Sequence, residues 1–319
     1  MANLSKTDAD LVAFSRERIE KGSKSFAVAA RLFAPETRAS AYMLYAWCRH
    51  CDDVIDGQSM GFVQTPGGGP TGPQALEVVE ELKTKTKQAC AGHADEPVFE
   101  ALRHVCAKHD IPDRYPLDLI AGFQMDAEAK TYRTLDDTLL YCYHVAGVVG
   151  VMMAMVMGVA NRVVLDRACD LGIAFQLTNI ARDIVPDHAV GRVYLPEGWL
   201  AEAGLTPTDI AERHHRTTLS AVANRLLDTA EPYYASARFG LPHLPLRSAW
   251  AVAAALKVYR AIGFEVRRRG AAAWDGRAST GTVTKLAGVA SGLAIALASR
   301  ADRDGHLRTS RTGLWTMAD

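Results

Sequence analysis

The chain has 319 residues, of which 49% are hydrophobic, and its 36 lysines and arginines balance its 36 aspartates and glutamates. This composition supports a large buried core, and the neutral balance gives no whole-protein field that would attract nucleic acid. The polar N-terminal residues do not resemble a signal peptide, and the six cysteines are expected to be free thiols in a reducing compartment. We therefore expect a cytoplasmic protein without nucleic-acid partners.

The first predicted helix covers residues 7–21 and ends near Gly22. Ser23 and Lys24 follow it and place a hydroxyl and an ammonium group beside the predicted helix end. Such residues bind an anion at some helix ends, whereas at others they only cap the helix or carry a solvated charge. Both interpretations stay open for this segment.

A second helix is predicted to open at Pro35 and to end at Gly57. Four chemically active side chains share about 60° of its circumference, because a helix turns by about 100° per residue; they are Tyr45, Arg49, Asp52 and Asp56. Residues 61–73 are rich in glycine and proline and are predicted to form a flexible loop. They are not a phosphate-binding loop, since no Gly-Lys-Ser/Thr follows.

Helical patterns continue through the middle of the chain over residues 74–88, 97–109, 116–130 and 141–160. Residues 145–160 and 286–299 are strongly apolar, but each falls short of the roughly 18 uninterrupted apolar residues that span a membrane. We therefore expect both to be buried helices. The methionines of the first stretch would suit an adaptable apolar pocket.

Residues 175–196 carry the second polar pattern, in which Gln176, Asn179, Asp183 and Asp187 fall within about 80° of a helix. Two carboxylates four residues apart repel each other, so the pattern suggests a bound cation. The alternative is a solvated polar face. Pro186 removes one helical hydrogen bond and is predicted to disturb the helix at Val185, which leaves the direction of Asp187 the least constrained of the set.

Further helical patterns cover residues 207–234 and 246–269, and residues 300–319 are predicted to form a polar tail. No alternating strand pattern is visible in the sequence. The predicted fold is therefore all-α, with about ten helices in a single domain over residues 1–319.

Two acidic helix faces would suit two helices that face each other across a cavity with cations between them. Carboxylate and amide oxygens favour Mg²⁺ or Mn²⁺, which bind substrate phosphates in many sites. Arg49 would bind a diphosphate in bidentate fashion. An apolar interior beside the diphosphate would accept a hydrocarbon, so a prenyl diphosphate is the expected substrate class. Tyr45 and Tyr141 could then stabilise a carbocation with their rings.

Four motifs resemble those of the squalene/phytoene synthase family: residues 48–56 (CRHCDDVID), 141–147 (YCYHVAG), 176–183 (QLTNIARD) and 191–196 (GRVYLP). The similarity covers residues 22–269 and is strongest to the bacterial members that make phytoene. It implies a class I isoprenoid synthase fold, a single-domain helical bundle around a central cavity. It also implies a head-to-head condensation of two geranylgeranyl diphosphates through a cyclopropyl diphosphate, dependent on Mg²⁺ or Mn²⁺ and without NADPH.

The resemblance also implies a role for individual residues. Asp52 and Asp56 would bind metal from one side, and Asn179, Asp183 and Asp187 from the other. The residues that would contact the diphosphate or its surroundings are Ser23, Lys24, Arg49, Gln176, Arg182 and Tyr259. Tyr45 and Tyr141 would lie near the cationic carbons, while the final proton acceptor is either released diphosphate or a side chain. Gly22 departs from the family pattern, in which a basic or histidine side chain is common.

Three alternatives remain at this stage. A squalene or dehydrosqualene synthase would use C15 substrates with the same motifs, and a head-to-tail elongase would need a second DDxxD, which residues 182–187 lack. A non-catalytic metal-binding helical bundle would need paired Glu-x-x-His motifs, of which only Glu212 to His215 is visible.

Substrate length and product release lead to two further expectations. Ala27, Ala29 and Ala30 leave room for a C20 chain where bulky residues would block it. A hydrocarbon product suggests peripheral contact with a membrane and transfer to downstream carotenoid enzymes.

Overall fold

The computed structural model describes residues 8–22, 29–59, 62–63, 72–301 and 310–317. These residues form twelve α-helices and several short 3₁₀ turns, and the predicted all-α class is confirmed. The helices are α1 Asp8–Gly22, α2 Pro35–Asp56, α3 Pro73–Cys90, α4 Pro97–His109, α5 Arg114–Ala127, α6 Leu135–Cys142, α7 Val148–Val156, α8 Arg162–Ala189, α9 Glu197–Glu202, α10 Arg216–Ala237, α11 Leu246–Arg269 and α12 Thr282–Ala298. All six cysteines are free, as expected.

The helix boundaries follow local sequence signals. Pro35, Pro73 and Pro97 each stand in the first turn of a helix, where the missing N–H has no helical partner to lose. Gly57 ends α2 in the left-handed conformation with a φ of 60°. The range predicted for 97–109 matches α4, whereas residues 207–215 form two 3₁₀ turns before α10 begins.

The predicted loop over residues 61–73 contains more regular structure than its composition suggests. Phe62–Val63 pairs antiparallel with Gln58–Ser59, so a two-residue ladder follows α2 directly. Gly72 and Pro73 already belong to the start of α3. Residues 64–71 lie outside the described part of the chain.

Contacts divide the chain into two compact units. The first comprises Met1–Glu128 with Met152–Val159, and the second comprises Ala129–Val151 with Ala160–Asp319. The single domain over residues 1–319 stays a prediction. In the first unit the core is centred on α2, whose Trp47 and Cys51 have no exposed surface.

The second unit is organised around α8, which has 28 residues. Glycines allow the chain before it to pack at backbone distance: a Cβ on Gly172 would lie 2.2 Å from the Ala146 carbonyl oxygen, and one on Gly150 would lie 2.3 Å from that of Ala168. A π-helical turn, Tyr143–Gly147, joins α6 to α7 at this contact. Such turns are frequent at functional sites.

The expected disturbance at Pro186 is wrong, because α8 continues through Val185 and Pro186 to Ala189. Pro186 is exposed and lies one turn before the helix end, where a proline costs one hydrogen bond. Asp187 therefore keeps its place on the helical edge, and its carbonyl oxygen accepts a hydrogen bond from Arg192 N at 2.9 Å.

Among the described residues one helical stretch, Leu135–Val156, is long and apolar enough to cross a membrane, and 61% of its most apolar window is buried inside the structure. This share is typical of a core helix and agrees with the prediction for residues 145–160. The stretch comprises α6, the π-turn and α7.

The predicted polar tail contains a buried ion pair. Arg311 donates to both carboxylate oxygens of Asp170, at 2.9 and 2.7 Å, and Asp170 has no exposed surface. Trp315 packs on the Tyr143 ring at 4.7 Å, and its amide donates to Tyr233 at 3.0 Å. Arg311 and Trp315 thus tie residues 310–317 to the second unit, although four of these eight residues are exposed.

We predict that Arg311→Ala lowers the free energy of unfolding by about 3–5 kcal/mol, because it leaves the buried carboxylate of Asp170 without its main partner. Urea unfolding measures the loss. Arg213→Ala is the matched control, since the Arg213 side chain is 85% exposed and lies 3.9 Å from its carboxylate partner. We expect it to change stability by less than about 0.5 kcal/mol. Equal losses of unfolding free energy in the two variants would contradict a stabilising ion pair between Arg311 and Asp170.

Candidate active site

The C-terminal end of α2 concentrates negative charge where the helix dipole is already negative. Asp52, Asp53 and Asp56 occupy its last turn and no basic residue accompanies them there. Arg49, one turn earlier, compensates part of this charge: its Nη1 lies 2.9 Å from Asp52 and its Nη2 lies 2.7 Å from Asp53. The structure therefore places Arg49 on carboxylates of its own helix.

Tyr45 lies one turn before Arg49 and is half-buried, like Arg49, Asp52 and Asp56. Burial raises the pKa of Tyr45 to about 12, against the opposing charge of Arg49, so its phenol is neutral at physiological pH. A Cβ on Gly22 would lie 2.7 Å from the Tyr45 hydroxyl. The absence of a side chain at Gly22 thus makes room for this hydroxyl, which gives the departure from the family pattern a steric reason.

The predicted polar edge of α8 is present. Gln176, Asn179, Asp183 and Asp187 are all half-buried, whereas the helix positions between them, such as Leu177, are largely buried. Asn179 Nδ2 donates to Gln176 Oε1 at 3.3 Å. Asn179 Oδ1 is buried and has no hydrogen-bond partner within the described residues. A buried carbonyl oxygen without a partner is costly, and on an edge that also carries Asp183 and Asp187 it makes Asn179 a candidate ligand.

Asp183 lies between two arginines. Arg182 donates to both of its carboxylate oxygens, with the Nε contact at 2.9 Å, and Arg277 approaches at 3.5 Å. The Arg182 side chain is 11% exposed, whereas that of Arg277 is 72% exposed. Arg277 therefore has the freedom to leave Asp183 and meet another anion, while Arg182 is held in place.

Tyr259 on α11 stacks on Phe175 at 4.1 Å. Burial raises the pKa of Tyr259, opposed by the positive charges of Arg182 and Arg277. A neutral phenol is a hydrogen-bond donor, which is the form that suits contact with a diphosphate oxygen.

Tyr141 belongs to an aromatic cluster with Tyr132 and Tyr194. Its ring stacks on Tyr194 at 4.4 Å and meets Tyr132 edge-on at 5.5 Å. The buried hydroxyl of Thr138 donates to the Tyr194 carbonyl oxygen at 2.9 Å and holds the cluster to α6. The second and fourth sequence motifs thus meet through their tyrosines.

The donor set suits a hard cation. It consists of carboxylate and amide oxygens, and one of these oxygens, Asn179 Oδ1, has no protein partner. Within the described ranges, no three His, Cys, Asp or Glu side chains converge closely enough to hold a metal by themselves. The metal-binding roles predicted from the sequence, for Asp52 and Asp56 in the first unit and for Asn179, Asp183 and Asp187 in the second, stay predictions.

The sequence analysis missed two residues of the site, Asp53 and Arg277, and two of its predicted residues lie outside the described part of the chain. Asp53 follows Arg49 by four residues, which is the spacing of a helical ion pair and would have identified it. Arg277 lies outside any helix and had no such signal. Ser23 and Lys24 lie outside the described residues, so their roles stay predictions, as do the functional roles of the other site residues.

The comparisons with solved structures define the class of protein. A dehydrosqualene synthase crystal structure matches with a TM-score of 0.80 and 26% identity, covering 91% of this chain and 98% of that one. The squalene synthase HpnC from Alicyclobacillus acidocaldarius matches with a TM-score of 0.73 and 25% identity, over 82% and 95% of the two chains. The fold is therefore that of the isoprenoid synthases.

Sequence comparison narrows the class to a family. Residues 19–284 match the model described as squalene/phytoene synthase, and the chain belongs to this family. The 15-cis-phytoene synthase of Enterobacter agglomerans is 55% identical over 89% of this chain and 96% of its own length. That of Paracoccus sp. is 51% identical over 97% and 98%.

We predict that Asp53→Asn lowers the free energy of unfolding by about 1.5–3 kcal/mol, since it removes the charge from the more buried of the two partners of Arg49. Chemical denaturation measures the change. Glu80→Gln is the control, because its side chain is 63% exposed in a surface pair with Lys83. If both substitutions were equally mild, Asp53 would not hold Arg49.

Proposed function

We propose that this chain condenses two geranylgeranyl diphosphates head to head and releases phytoene and diphosphate. The observation that carries the proposal is the identity of 51–55% to curated 15-cis-phytoene synthases over most of the chain. The acidic edges of α2 and α8 and the neutral tyrosines agree with it. The dehydrosqualene and squalene synthases share the fold at 25–26% identity, so the fold alone does not select the C20 substrate.

The reaction begins when the bond between C1 and oxygen of the first substrate breaks and leaves an allylic cation and diphosphate. Mg²⁺ or Mn²⁺, held by Asp52, Asp56, Asn179, Asp183 and Asp187, would supply charge neutralisation for this leaving group. Arg49 and Arg182 provide guanidinium groups for the diphosphate oxygens, and Tyr259 provides a neutral hydroxyl. Gln176 lies on the same edge of α8.

The double bond of the second substrate then attacks the cation, and proton loss gives a cyclopropyl diphosphate. Ionisation and rearrangement of this intermediate, followed by loss of a second proton, give phytoene, so no reductant is consumed. The ring faces of Tyr45 and Tyr141 suit the stabilisation of carbocations. Burial keeps the phenol of Tyr45 neutral and therefore poorly nucleophilic toward the cation.

The general assay is incubation of the purified chain with C15 or C20 diphosphate, with and without Mg²⁺ and NADPH, followed by mass analysis of the extracted hydrocarbon. The proposal expects a C40 product that needs the metal but not NADPH. Asp52→Asn and Asp183→Asn should each reduce turnover by at least about 10²-fold while the helical circular-dichroism signal stays. Unchanged turnover in either variant would refute the assignment.

A second experiment tests the metal role of Asn179. We predict that Asn179→Leu raises the Mg²⁺ concentration for half-maximal activity about tenfold, because it removes one oxygen ligand. It should cost little stability, since Oδ1 has no partner to lose among the described residues and Nδ2 loses only one long hydrogen bond, to Gln176 at 3.3 Å. Asn224→Leu is the matched control, because Asn224 Oδ1 on α10 is also buried without a partner in the described chain. A parallel response of both variants to Mg²⁺ would exclude a specific role for Asn179.

The C20 preference has its own test at Ala30, which has no exposed surface. We predict that Ala30→Phe abolishes most C40 synthesis and retains turnover of C15 diphosphate, since a larger side chain would shorten the space for the hydrocarbon. Thermal unfolding controls for overpacking, which alone costs about 1–3 kcal/mol. C40 synthesis at the full rate in a folded variant would contradict this account. Ala29 is half-buried, and Ala27 lies outside the described residues.

The product bears no polar group, so we also propose peripheral contact with a membrane and transfer of the product to a downstream enzyme of carotenoid synthesis. The cytoplasmic location stays a prediction.

A further inference from the structure

Two thiols that the proposed reaction does not use lie side by side in the first unit. Cys90 is the last residue of α3 and is half-buried, whereas Cys106 lies in the last turn of α4 and is 6% exposed. A side-chain hydrogen bond joins the two thiols. Both also experience the negative charge of Asp113, which directly precedes α5. The ends of α3 and α4 and the start of α5 therefore meet at this pair.

Backbone hydrogen bonds fix the chain beside each thiol. The carbonyl oxygen of Cys106 accepts a hydrogen bond from Ile111 N at 3.1 Å, just beyond the end of α4. On the other side, Ala91 N donates to the Lys87 carbonyl oxygen at 2.9 Å and closes the last turn of α3 around Cys90. A disulfide requires two cysteines whose backbones already lie close together. The folded chain therefore holds this pair in the proximity that a disulfide needs.

The surroundings of the two thiols give them different reactivities. The hydrogen bond from Cys106 lowers the pKa of Cys90, against the opposing effects of burial and of Asp113. The same hydrogen bond raises the pKa of Cys106, and burial raises it further. Thiolates are the nucleophiles of cysteine chemistry, so Cys90 is the thiol that an oxidant meets first. Cys106 is held beside it as the thiol that reacts second.

The other four cysteines are held as protonated thiols. Burial raises the pKa of Cys48 to about 12, and it raises the pKa of Cys51, Cys142 and Cys169 well above the ordinary value of a thiol. Cys48 and Cys51 have the CxxC spacing of many redox pairs, but their burial opposes formation of a thiolate. Oxidation is therefore expected at the pair between α3 and α4.

We propose that Cys90 and Cys106 form a reversible disulfide when the protein meets hydrogen peroxide. The Cys90 thiolate attacks one peroxide oxygen and the O–O bond breaks, which leaves a sulfenic acid on Cys90 and a hydroxide that takes up the proton of the thiol. The Cys106 sulfur then attacks the Cys90 sulfur, the S–O bond breaks, and water leaves with the Cys106 proton. The two thiols thus lose two electrons and two protons, and one peroxide becomes two waters. A dithiol such as dithiothreitol reverses the reaction by thiol–disulfide exchange.

The disulfide would link α3 to the helix that packs on α2. His109 Nε2 of α4 lies 2.8 Å from Ser40 Oγ of α2, and the His50 ring of α2 meets the Phe99 ring of α4 edge-on at 5.7 Å. None of the residues predicted to bind substrate or metal takes part in the oxidation. The inference therefore stands independently of the proposed reaction.

Treatment of the purified full chain with hydrogen peroxide tests the proposal. The protein is then denatured, labelled with N-ethylmaleimide and digested with trypsin, which separates the two cysteines by cleavage after Arg103. We expect the treated protein to take up two fewer maleimides than the untreated protein. The peptides of Cys90 and Cys106 should appear as one cross-linked species that dithiothreitol separates. Oxidation of Cys90 to a sulfinic acid without this species, or no oxidation of Cys90, would overturn the proposal.

Single substitutions test the order of the two steps. In Cys106→Ser the sulfenic acid has no second thiol to react with, so dimedone should label Cys90. In Cys90→Ser both the disulfide and the dimedone label should be lost. Cys48→Ser is the matched control, because Cys48 is also half-buried and its loss should leave the disulfide unchanged. Dimedone labelling of Cys106 in Cys90→Ser, or a disulfide that depends on Cys48, would contradict the assignment. Circular dichroism checks that each variant keeps its helical signal.

Discussion

The arrangement of the candidate site depends on carboxylates placed at the negative ends of two helices. Asp52 and Asp56 lie at the end of α2, and Asp183 and Asp187 lie in the last two turns of α8. Each carboxylate there is opposed by the helix dipole, at about 0.3–1 kcal/mol per charge. Carboxylates at such positions are stabilised by nearby cations, and the protein supplies some of these cations itself.

The intrinsic cations are arginines of the same regions. Arg49 compensates the end of α2, while Arg182 and the more exposed Arg277 compensate Asp183. These guanidinium groups neutralise carboxylates of the folded protein, and guanidinium groups are also suited to bind a diphosphate. A diphosphate and its metals would bring both signs of charge at once, so the site can exchange internal ion pairs for ligand contacts without leaving a buried charge unpaired.

The position of α8 within its unit is controlled away from the acidic edge. Gly150 and Gly172 allow the backbone around the π-turn to pack directly against α8. This contact places the motif that begins at Tyr141 beside the helix. Two residues before Gly172, Arg311 binds the buried Asp170. The acidic edge therefore projects from a helix that is fixed along its first half by packing and by an ion pair.

The sequence alone was sufficient for the helical class, for the family and for the two polar edges, because helical periodicity and motif identity are local properties of the chain. Because α8 is continuous from Arg162 to Ala189, the spacing of Gln176, Asn179, Asp183 and Asp187 places them along one edge of the helix. Local rules were insufficient at Pro186, where an exposed proline near the helix end is tolerated and the helix continues.

Partners distant in sequence were decided only by the tertiary structure. Arg311 pairs with Asp170 across 141 residues, and Arg277 reaches Asp183 across 94. Neither contact can be predicted from composition, because the sequence does not distinguish an arginine that is surrounded by water from one that binds a buried carboxylate. The outward face of α12 is a similar case: its apolar residues predicted burial, but the close packing of Gly288 and Gly292 on α11 leaves that face exposed.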